Sequence, residues 1–311
     1  MTSITELSPT EVALAGDARQ SDAAAQRRPR GLERVTTALA TTIYVGIHLS
    51  TLLVFYTGVT AEALALFAAT FFVRMFAITG VYHRYFSHRT YRTSRFVQFL
   101  LAFLGTTAVQ KGPLWWASTH RLHHRYSDHE GDPHSPRLRG FRYAHQGWIF
   151  DERWDATREE QIKDLMRYPE LVWLNKWHFL APALLAWGCY AIGGFTGLVW
   201  GFAVSTTLLW HATYSINSLA HKFGRVRFET GDDSRNNWWL ALLTLGEGWH
   251  NNHHYYQSTV RQGFYWWEID VSWYVLRALA AVGLVWDLKL PPERVYAEAR
   301  ARREAAEQRA A

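Results

Sequence analysis

The 311-residue sequence is poor in cysteine, with Cys189 as its one example, and it has three methionines. A single cysteine excludes an intrachain disulfide and a thiolate metal site, so any bound metal must take nitrogen or oxygen ligands. No apolar run closely follows the first methionine, which argues against a cleavable signal peptide. Residues 1–30 have no periodic apolar face, and we expect a disordered N-terminal tail there.

Charge is absent from several long stretches. Residues 35–56 contain no Asp, Glu, Lys or Arg, and as a helix they would rise far enough to cross a hydrocarbon core of about 30 Å. The second stretch, residues 63–82, carries a single charge, Arg74. This side chain must snorkel, pair or face the protein interior. The sequence therefore predicts an all-α membrane protein with four transmembrane helices, at residues 35–56, 63–82, 177–194 and 195–216.

Two further apolar segments are too short to span. Residues 96–109 are predicted to form an interfacial or re-entrant helix, and residues 272–286 an amphipathic helix lying on the membrane. Residues 31–291 then form one membrane domain, and the highly charged residues 292–311 form a C-terminal helix. The polar blocks between the spans supply a helical cap.

The distribution of positive charge predicts an orientation. Lysines and arginines precede the first and third predicted spans and follow the second and fourth. The two loops at the other ends of these spans, near residues 57–62 and 193–197, contain none. The positive-inside rule places both termini and both polar blocks in the cytoplasm, as expected for a bacterial cell-membrane protein. The net charge of +6 could indicate nucleic acid, but the apolar runs and 16 tryptophans favour the lipid bilayer as partner.

Histidine is abundant, with 15 residues, and the spacing of these residues indicates metal ligands. Three histidine boxes lie at the predicted cytoplasmic ends of the spans. They comprise His83 and His88; His120, His123 and His124; and His250, His253 and His254.

Positions i, i+3 and i+4 share a helix face, so each HxxHH box can direct three imidazoles into one pocket. By contrast, His83 and His88 diverge by about 140° on a regular helix. Both can be ligands only if the helix ends or distorts near residues 85–87. Eight imidazoles exceed the needs of one metal, which predicts two metals, although imidazole alone does not select among iron, zinc and copper.

Longer motifs surround the boxes and resemble those of the integral-membrane fatty acid desaturase family, in particular acyl-CoA delta-9 desaturases. The shared segments cover roughly residues 35–290. They include GVYHRYFSHR at 80–89, HRLHHR at 120–125, DPH at 132–134, HQGW at 145–148, NSLAHKFG at 217–224 and GEGWHNNHH at 246–254.

The resemblance implies a non-haem di-iron site with O2 as co-substrate. It adds His221 as a ninth histidine ligand and brings Asn217 to the second iron through a water. It also implies a tunnel for an acyl chain that runs from the cap between the spans. Trp116 and Tyr214 would flank the reacting carbons, and Phe71 and Met75 would lie near the closed end.

The acyl carrier is less constrained. The dipeptide before HRLHH is Ser118-Thr119, where animal acyl-CoA desaturases have Arg-Asp. Four cations remain candidates for phosphate groups: Lys111, Arg121, Arg125 and Arg167. Acyl-CoA is the expected substrate, with carrier-protein or phospholipid-linked chains as alternatives. We expect no fused haem domain and therefore a separate electron donor, such as a ferredoxin with its NAD(P)H reductase.

Two other functions fit parts of the pattern. A hydroxylase on the same di-iron scaffold would diverge after the same hydrogen abstraction. A non-enzymatic membrane metal-binding or transport protein would instead place polar ligands at bilayer depth inside the spans. The histidine boxes lie at the predicted span ends, which favours the enzyme.

Overall fold

A computed structural model describes residues 31–310 of the chain. The predicted disordered tail at 1–30 lies outside the described residues. Helices dominate the rest, and the one described sheet is a two-stranded antiparallel ribbon of β1 (Arg92–Thr93) and β2 (Val285–Trp286).

The helices follow the chain in this order. The α-helices are α1 Gly31–Ser50, α2 Val54–Thr57, α3 Ala61–Phe76, α4 Arg95–Thr106, α5 Pro113–Tyr126, α6 Pro136–Arg139, α7 Phe141–His145, α8 Lys163–Met166, α9 Pro169–Lys176, α10 Leu180–Gly197, α11 Ser205–Ser218, α12 Trp238–Leu243, α13 His250–Tyr255, α14 Val271–Ala281 and α15 Glu293–Ala310. Two π-helices continue α3 and α10, at Ala77–Ser87 and Leu198–Val204. Short 3₁₀ turns occur at Thr51–Leu53, Gly147–Phe150, Glu152–Trp154 and Glu159–Gln161.

Within residues 31–310, three helical stretches are long and apolar enough to cross a membrane: Ala38–Thr57, Ala61–Ser87 and Leu180–Ser218. The first two correspond to the first two predicted spans. The third contains 39 residues, about twice the length that a bilayer core requires. It covers both remaining predicted spans, so the prediction of four spans stays a prediction.

The third stretch is bent back on itself. Gly194 leaves the helical region, with φ 57° and ψ −149°, a conformation that glycine adopts readily because it has no Cβ. Gly197 and Gly201 then pack against Cys189, although twelve residues of straight helix would separate Cys189 and Gly201 by about 18 Å. The chain therefore reverses direction at Gly194, near the boundary between the third and fourth predicted spans.

Arg74 faces the protein interior, one of the three outcomes expected for it. Its side chain is 1% exposed and donates to the hydroxyls of Ser205 and Thr206 at 2.5 and 2.7 Å. It also donates to the carbonyls of Thr70 and Thr107. These four oxygens accept from four of the five guanidinium N–H groups and tie α3 to α11, since a buried donor without a partner is costly.

Helices occupy both predicted short segments, α4 and α14, each beginning one residue before and ending several residues before the predicted bounds; their placement at the membrane surface stays a prediction. Ser94 caps α4 by accepting the backbone N–H of Val97, and Asp270 caps α14 by accepting that of Trp273. Residues 285–286 form β2 rather than the end of a helix, because they pair with residues 92–93. This pairing joins the segment after the first histidine box to the C-terminal part of the domain.

The close approach at Gly197 yields a stability test. A Cβ at Gly197 would lie 2.3 Å from the carbonyl oxygen of Cys189, whereas one at Gly188, on the same helix, meets nothing within 4 Å. We expect Gly197→Ala to destabilise the protein by roughly 1–3 kcal/mol through overpacking. Thermal unfolding of the purified protein in detergent, followed by tryptophan fluorescence, measures the effect. The control Gly188→Ala should leave the midpoint unchanged or higher, and equal midpoints for both variants would contradict the packed hairpin.

Candidate metal centre

The nine histidines of the sequence hypothesis converge in space as two adjoining groups. Group one consists of His83, His88, His120, His124 and His253; group two consists of His123, His221, His250 and His254. Within each group one ring nitrogen per residue lies within 4.8 Å of all the others. The rings of His124 and His254 are 4.5 Å apart, so the two groups share a wall.

A π-helix brings the first two histidines together. A π-helix bonds residue i+5 to residue i, and the N–H of His88 donates to the carbonyl of His83 at 3.3 Å. The helix at Ala77–Ser87 ends immediately before His88, and the two rings lie 4.9 Å apart. The distortion that the five-residue spacing required is therefore present.

Each HxxHH box divides its three side chains between the two groups. On α5, His120 and His124 enter group one and His123 enters group two. On α13, His250 and His254 enter group two and His253 enters group one. In both boxes the i and i+4 pair stays together because those positions are closest around the helix, while the i+3 residue reaches across. The expectation of one pocket per box was therefore too simple.

Buried carboxylates orient four of the imidazoles. The contacts to Nδ1 are Glu247 with His83 at 2.5 Å, Asp132 with His123 at 2.9 Å, Asp128 with His221 at 2.8 Å, and Asp232 with His254 at 2.7 Å. A carboxylate that accepts from Nδ1–H leaves the Nε2 lone pair free to face the centre, the usual support for a metal-ligating histidine.

Sequence reasoning did not assign these four carboxylates a role. Asp132 and Glu247 lie within the motifs that carried the family resemblance, which was the available signal for them. Asp128 and Asp232 lie in loops, 93 and 22 residues from the histidines they contact, and only the folded chain brings them there.

Glu247 also joins the histidine groups to a buried ion-pair network around Arg84. One of its oxygens accepts from Arg84, and the other contacts His83. Arg84 is 1% exposed and also donates to Asp270 and to the carbonyl of Val260. Removing one partner of a buried, hydrogen-bonded charge pair is strongly destabilising, so this network holds the first box against the third.

The electrostatics favour ionised carboxylates at Asp128 and Asp232 and neutral imidazoles at His120 and His250. Burial alone would raise the pKa of Asp128, but the hydrogen bond and charge of His221 outweigh it and lower the pKa well below its usual range. For Asp232, contact with His254 likewise outweighs burial and lowers the pKa. Burial, together with neighbouring histidines, lowers the pKa of His120 and His250 well below its usual value. Metal ligation requires these protonation states.

The nitrogen atoms of group one are too close and too many to satisfy one another by hydrogen bonds. In group one the Nε2 atoms form a row, His83–His253–His124–His120–His88, with successive separations of 2.9–3.0 Å. Since His83 donates its Nδ1–H to Glu247, its Nε2 has no proton. In a neutral ring, each Nε2 either donates its one proton or accepts with its one lone pair, so it can take part in only one of these hydrogen bonds. At most two of the four contacts can therefore be hydrogen bonds between neutral rings.

The same row matches metal ligation. Two imidazole nitrogens bound to one metal at about 2.1 Å and at right angles lie about 3.0 Å apart. In group two, His254 has its Nδ1 held by Asp232, and its buried Nε2 has no hydrogen-bond partner among the described residues. Converging lone pairs of this kind fit a cation in each group.

The other six histidines lie outside the two groups. His134 stacks on His123 at 4.3 Å, and burial lowers its pKa to about 3. His48, His211 and His145 form a hydrogen-bonded chain at 3.1 and 3.0 Å that ends on Ser218. His129 contacts the carbonyl of Ser127, and His178 lies beside Phe179.

Asn217, the predicted water-mediated ligand, is half-buried in the last turn of α11, four residues before His221. Its role stays a prediction.

The predicted tunnel residues are placed as follows. Trp116 stacks on His120 at 4.9 Å and packs on the apolar core that contains Phe71 and Met75. Tyr214 is buried beside His145, with ring centroids 5.8 Å apart. These contacts put Trp116 against group one.

Two polar residues missed by the sequence analysis join these segments. Gln110 accepts from the indole N–H of Trp116 at 3.2 Å and donates to Thr213 at 3.0 Å. Thr213 precedes Tyr214, so the bridge links the segments that carry Trp116 and Tyr214. The signal was proximity in sequence to residues already singled out.

The four cations predicted to bind phosphate groups of the acyl carrier differ in their exposure and in their contacts. Arg121 uses all five N–H donors on the carbonyls of Phe86, Ser87 and Gln161 and on both oxygens of Asp164. It therefore has no donor left for a phosphate in this arrangement. Lys111 pairs with Asp155, whereas Arg125 and Arg167 are exposed.

Comparison with known proteins gives a consistent result. A family model described as fatty acid desaturase matches residues 58–288, which include all nine histidines. The chain is 40% identical over 222 residues to a palmitoyl-monogalactosyldiacylglycerol delta-7 desaturase of Arabidopsis thaliana, covering 70% of this chain and 60% of that protein. It is 40% identical over 222 residues to an acyl-CoA 5-desaturase of Anemone leveillei, covering 70% and 69%.

An sn-1 stearoyl-lipid 9-desaturase of Synechocystis is 36% identical over 262 residues, covering 79% of this chain and 82% of that protein. The relatives thus differ in both carrier and double-bond position.

Adjacent aspartates offer a matched test of the carboxylate supports. Asp232 contacts His254, whereas Asp233 pairs with the half-exposed Arg137. We expect Asp232→Asn to weaken metal binding about 10- to 100-fold, because removing a carboxylate behind a ligand has effects of that size. Iron retention during dialysis against a graded chelator series, measured by elemental analysis, gives the comparison. Asp233→Asn should retain iron like the wild type, and equal retention by both variants would remove Asp232 from the site.

Proposed function

The chain belongs to the fatty acid desaturase family, and we propose that it introduces a cis double bond at carbon nine of a long saturated acyl chain. Acyl-CoA is the proposed carrier. The observation that carries the proposal is the pair of adjoining histidine groups with Trp116 stacked against one of them. A separate ferredoxin-type donor supplies electrons, and the site faces the cytoplasm of a bacterial cell.

The reaction explains the donor set. Two adjacent methylenes lose one hydrogen each, and these two hydrogens combine with O2, two electrons and two protons to give two waters. No side chain of ordinary pKa can abstract such hydrogens. Two iron ions held by the nine histidines would supply the oxidant. Imidazole suits iron, and nine nitrogens would leave about one to three of the ligand positions of two five- or six-coordinate ions open.

The chain's own residues position the reactants. The carboxylates Asp128, Asp132, Asp232 and Glu247 hold the imidazole rings by their Nδ1–H groups. Trp116, fixed by Gln110, presents an indole wall beside His120. The apolar core that contains Phe71 and Met75 excludes water from the path proposed for the acyl chain, and exclusion of water prevents side reactions of a strong oxidant.

A lipid-linked acyl chain is a second candidate for the substrate. Arg121 is saturated by internal acceptors and Lys111 is paired with Asp155, which leaves fewer cations for the phosphates of CoA. Two of the relatives described above act on lipid-linked chains by their names. Membranes supplied with labelled stearoyl-CoA or with labelled stearoyl lipid, under conditions that block acyl exchange, distinguish the carriers.

Expression in a host that lacks unsaturated fatty acids tests the reaction itself. We expect monounsaturated chains with the double bond at carbon nine, because the proposed tunnel places one pair of methylenes beside the metals. Gas chromatography with mass spectrometry of double-bond derivatives reports chain length and position together. Hydroxylated chains would instead support the hydroxylase. An iron content of one ion or none per purified chain, without product, would support a metal-binding protein.

Replacement of single histidines tests the ligand assignment. His123→Ala and His253→Ala each remove one nitrogen from a different group and should abolish turnover, since the remaining donors cannot complete both ions. Product formation and membrane content, measured in the same cells, separate lost chemistry from lost protein. The control His178→Ala lies outside both groups and should retain activity; turnover by His123→Ala would remove His123 from the ligand set.

A further inference from the structure

A surface groove lies directly beside the histidine groups. It encloses about 870 Å³, and its lining includes Arg225, Arg227, Arg300, Arg302, Arg303 and Trp249. We call it the basic groove. Three of its arginines belong to α15, which lies beyond the part of the chain matched by the family model.

The charge of the basic groove is strongly one-sided. Among its lining residues five arginines face one carboxylate, Glu268. Glu268 is 2% exposed and already pairs with Arg227 at 2.6 Å. The acidic residues that contact Arg300 and Arg302 are Glu229, Glu293 and Glu298. They lie outside the lining, so they reduce the positive charge around the groove without entering it.

Aromatic side chains complete the surface. Trp239 and Trp267 are 67% and 55% exposed, and Tyr265 lies under the guanidinium of Arg227 at 4.8 Å. Exposed tryptophans and arginines together are characteristic of protein interfaces.

The floor of the groove is joined to both histidine groups. Trp249 lines the groove and is linked by one peptide bond to His250 of group two. Arg227 donates to Asn252 at 2.9 Å, and Asn252 is linked by one peptide bond to His253 of group one. These two contacts place the floor of the groove one residue away from each histidine group.

We infer that the basic groove is the docking site of a small acidic one-electron carrier protein. The inference rests on the proposed function, which requires two electrons from outside the chain for each double bond. Each encounter oxidises one carrier by one electron, and two encounters supply one desaturation. Complementary charge steers such a partner and sets the rate of encounter.

A charge reversal within the groove tests the docking site against a matched control. Arg300 lines the groove and Arg294, on the same helix, does not; both are exposed. We expect Arg300→Glu to raise the Kd for a purified plant-type [2Fe–2S] ferredoxin about three- to tenfold at low salt, and Arg300→Glu with Arg303→Glu to raise it further. Arg294→Glu should bind like the wild type. The difference should shrink at about 0.5 M salt because of screening.

Binding to the purified full-length chain is measured in detergent by surface immobilisation, and turnover is measured with ferredoxin or with a chemical reductant. The groove variants should raise KM for ferredoxin while leaving turnover with the chemical reductant unchanged. Unchanged Kd in the double variant, or an equal effect of Arg294→Glu, would overturn the inference. So would a variant effect on binding to vesicles containing anionic phosphatidylglycerol without one on ferredoxin, which would make the groove a lipid site.

The two proposals fail in distinguishable ways. If the wild type produces no unsaturated chain even with the chemical reductant, the proposed function fails. If the wild type does produce it and ferredoxin binding ignores the groove, the docking site fails alone.

Discussion

The structure depends on holding nine imidazole lone pairs, away from water, at two adjoining points. Without a cation, such an arrangement is unfavourable, because neutral rings in a row cannot satisfy one another by hydrogen bonds. Buried carboxylates keep the rings in place: Asp128 and Asp232 accept from Nδ1 of His221 and His254.

Two local distortions make the convergence possible. The π-helix at Ala77–Ser87 aligns His83 with His88, which a regular α-helix cannot do. The reversal at Gly194 turns the chain back along itself, so that α11 leads to His221 of group two. Glu247 contacts both Arg84 and His83, so one carboxylate joins the buried ion-pair network to a predicted metal ligand.

The surroundings of the centre differ by side. Toward the apolar core, Trp116 and the Gln110–Thr213 bridge form a dry wall suited to an acyl chain. Toward water, Trp249 and the arginines of α15 form a basic surface. The proposed function uses both, because its substrate is apolar and its electrons come from outside the chain. The separation of the two faces by the histidine groups is what the proposed chemistry demands.

The sequence by itself determined the class of protein, the candidate ligands and most of the helices. Uncharged runs predict spans because a bilayer core has a fixed thickness, and HxxHH predicts ligands because its spacing follows the helical repeat. The tertiary structure alone decided that His123 groups with His221 while His124 groups with His88. It also decided that Asp128 contacts a histidine 93 residues away and that the donors of Arg121 bind acceptors within the protein. Periodicity specifies which residues share a face, whereas the residues that meet that face come from distant parts of the chain and are set by packing.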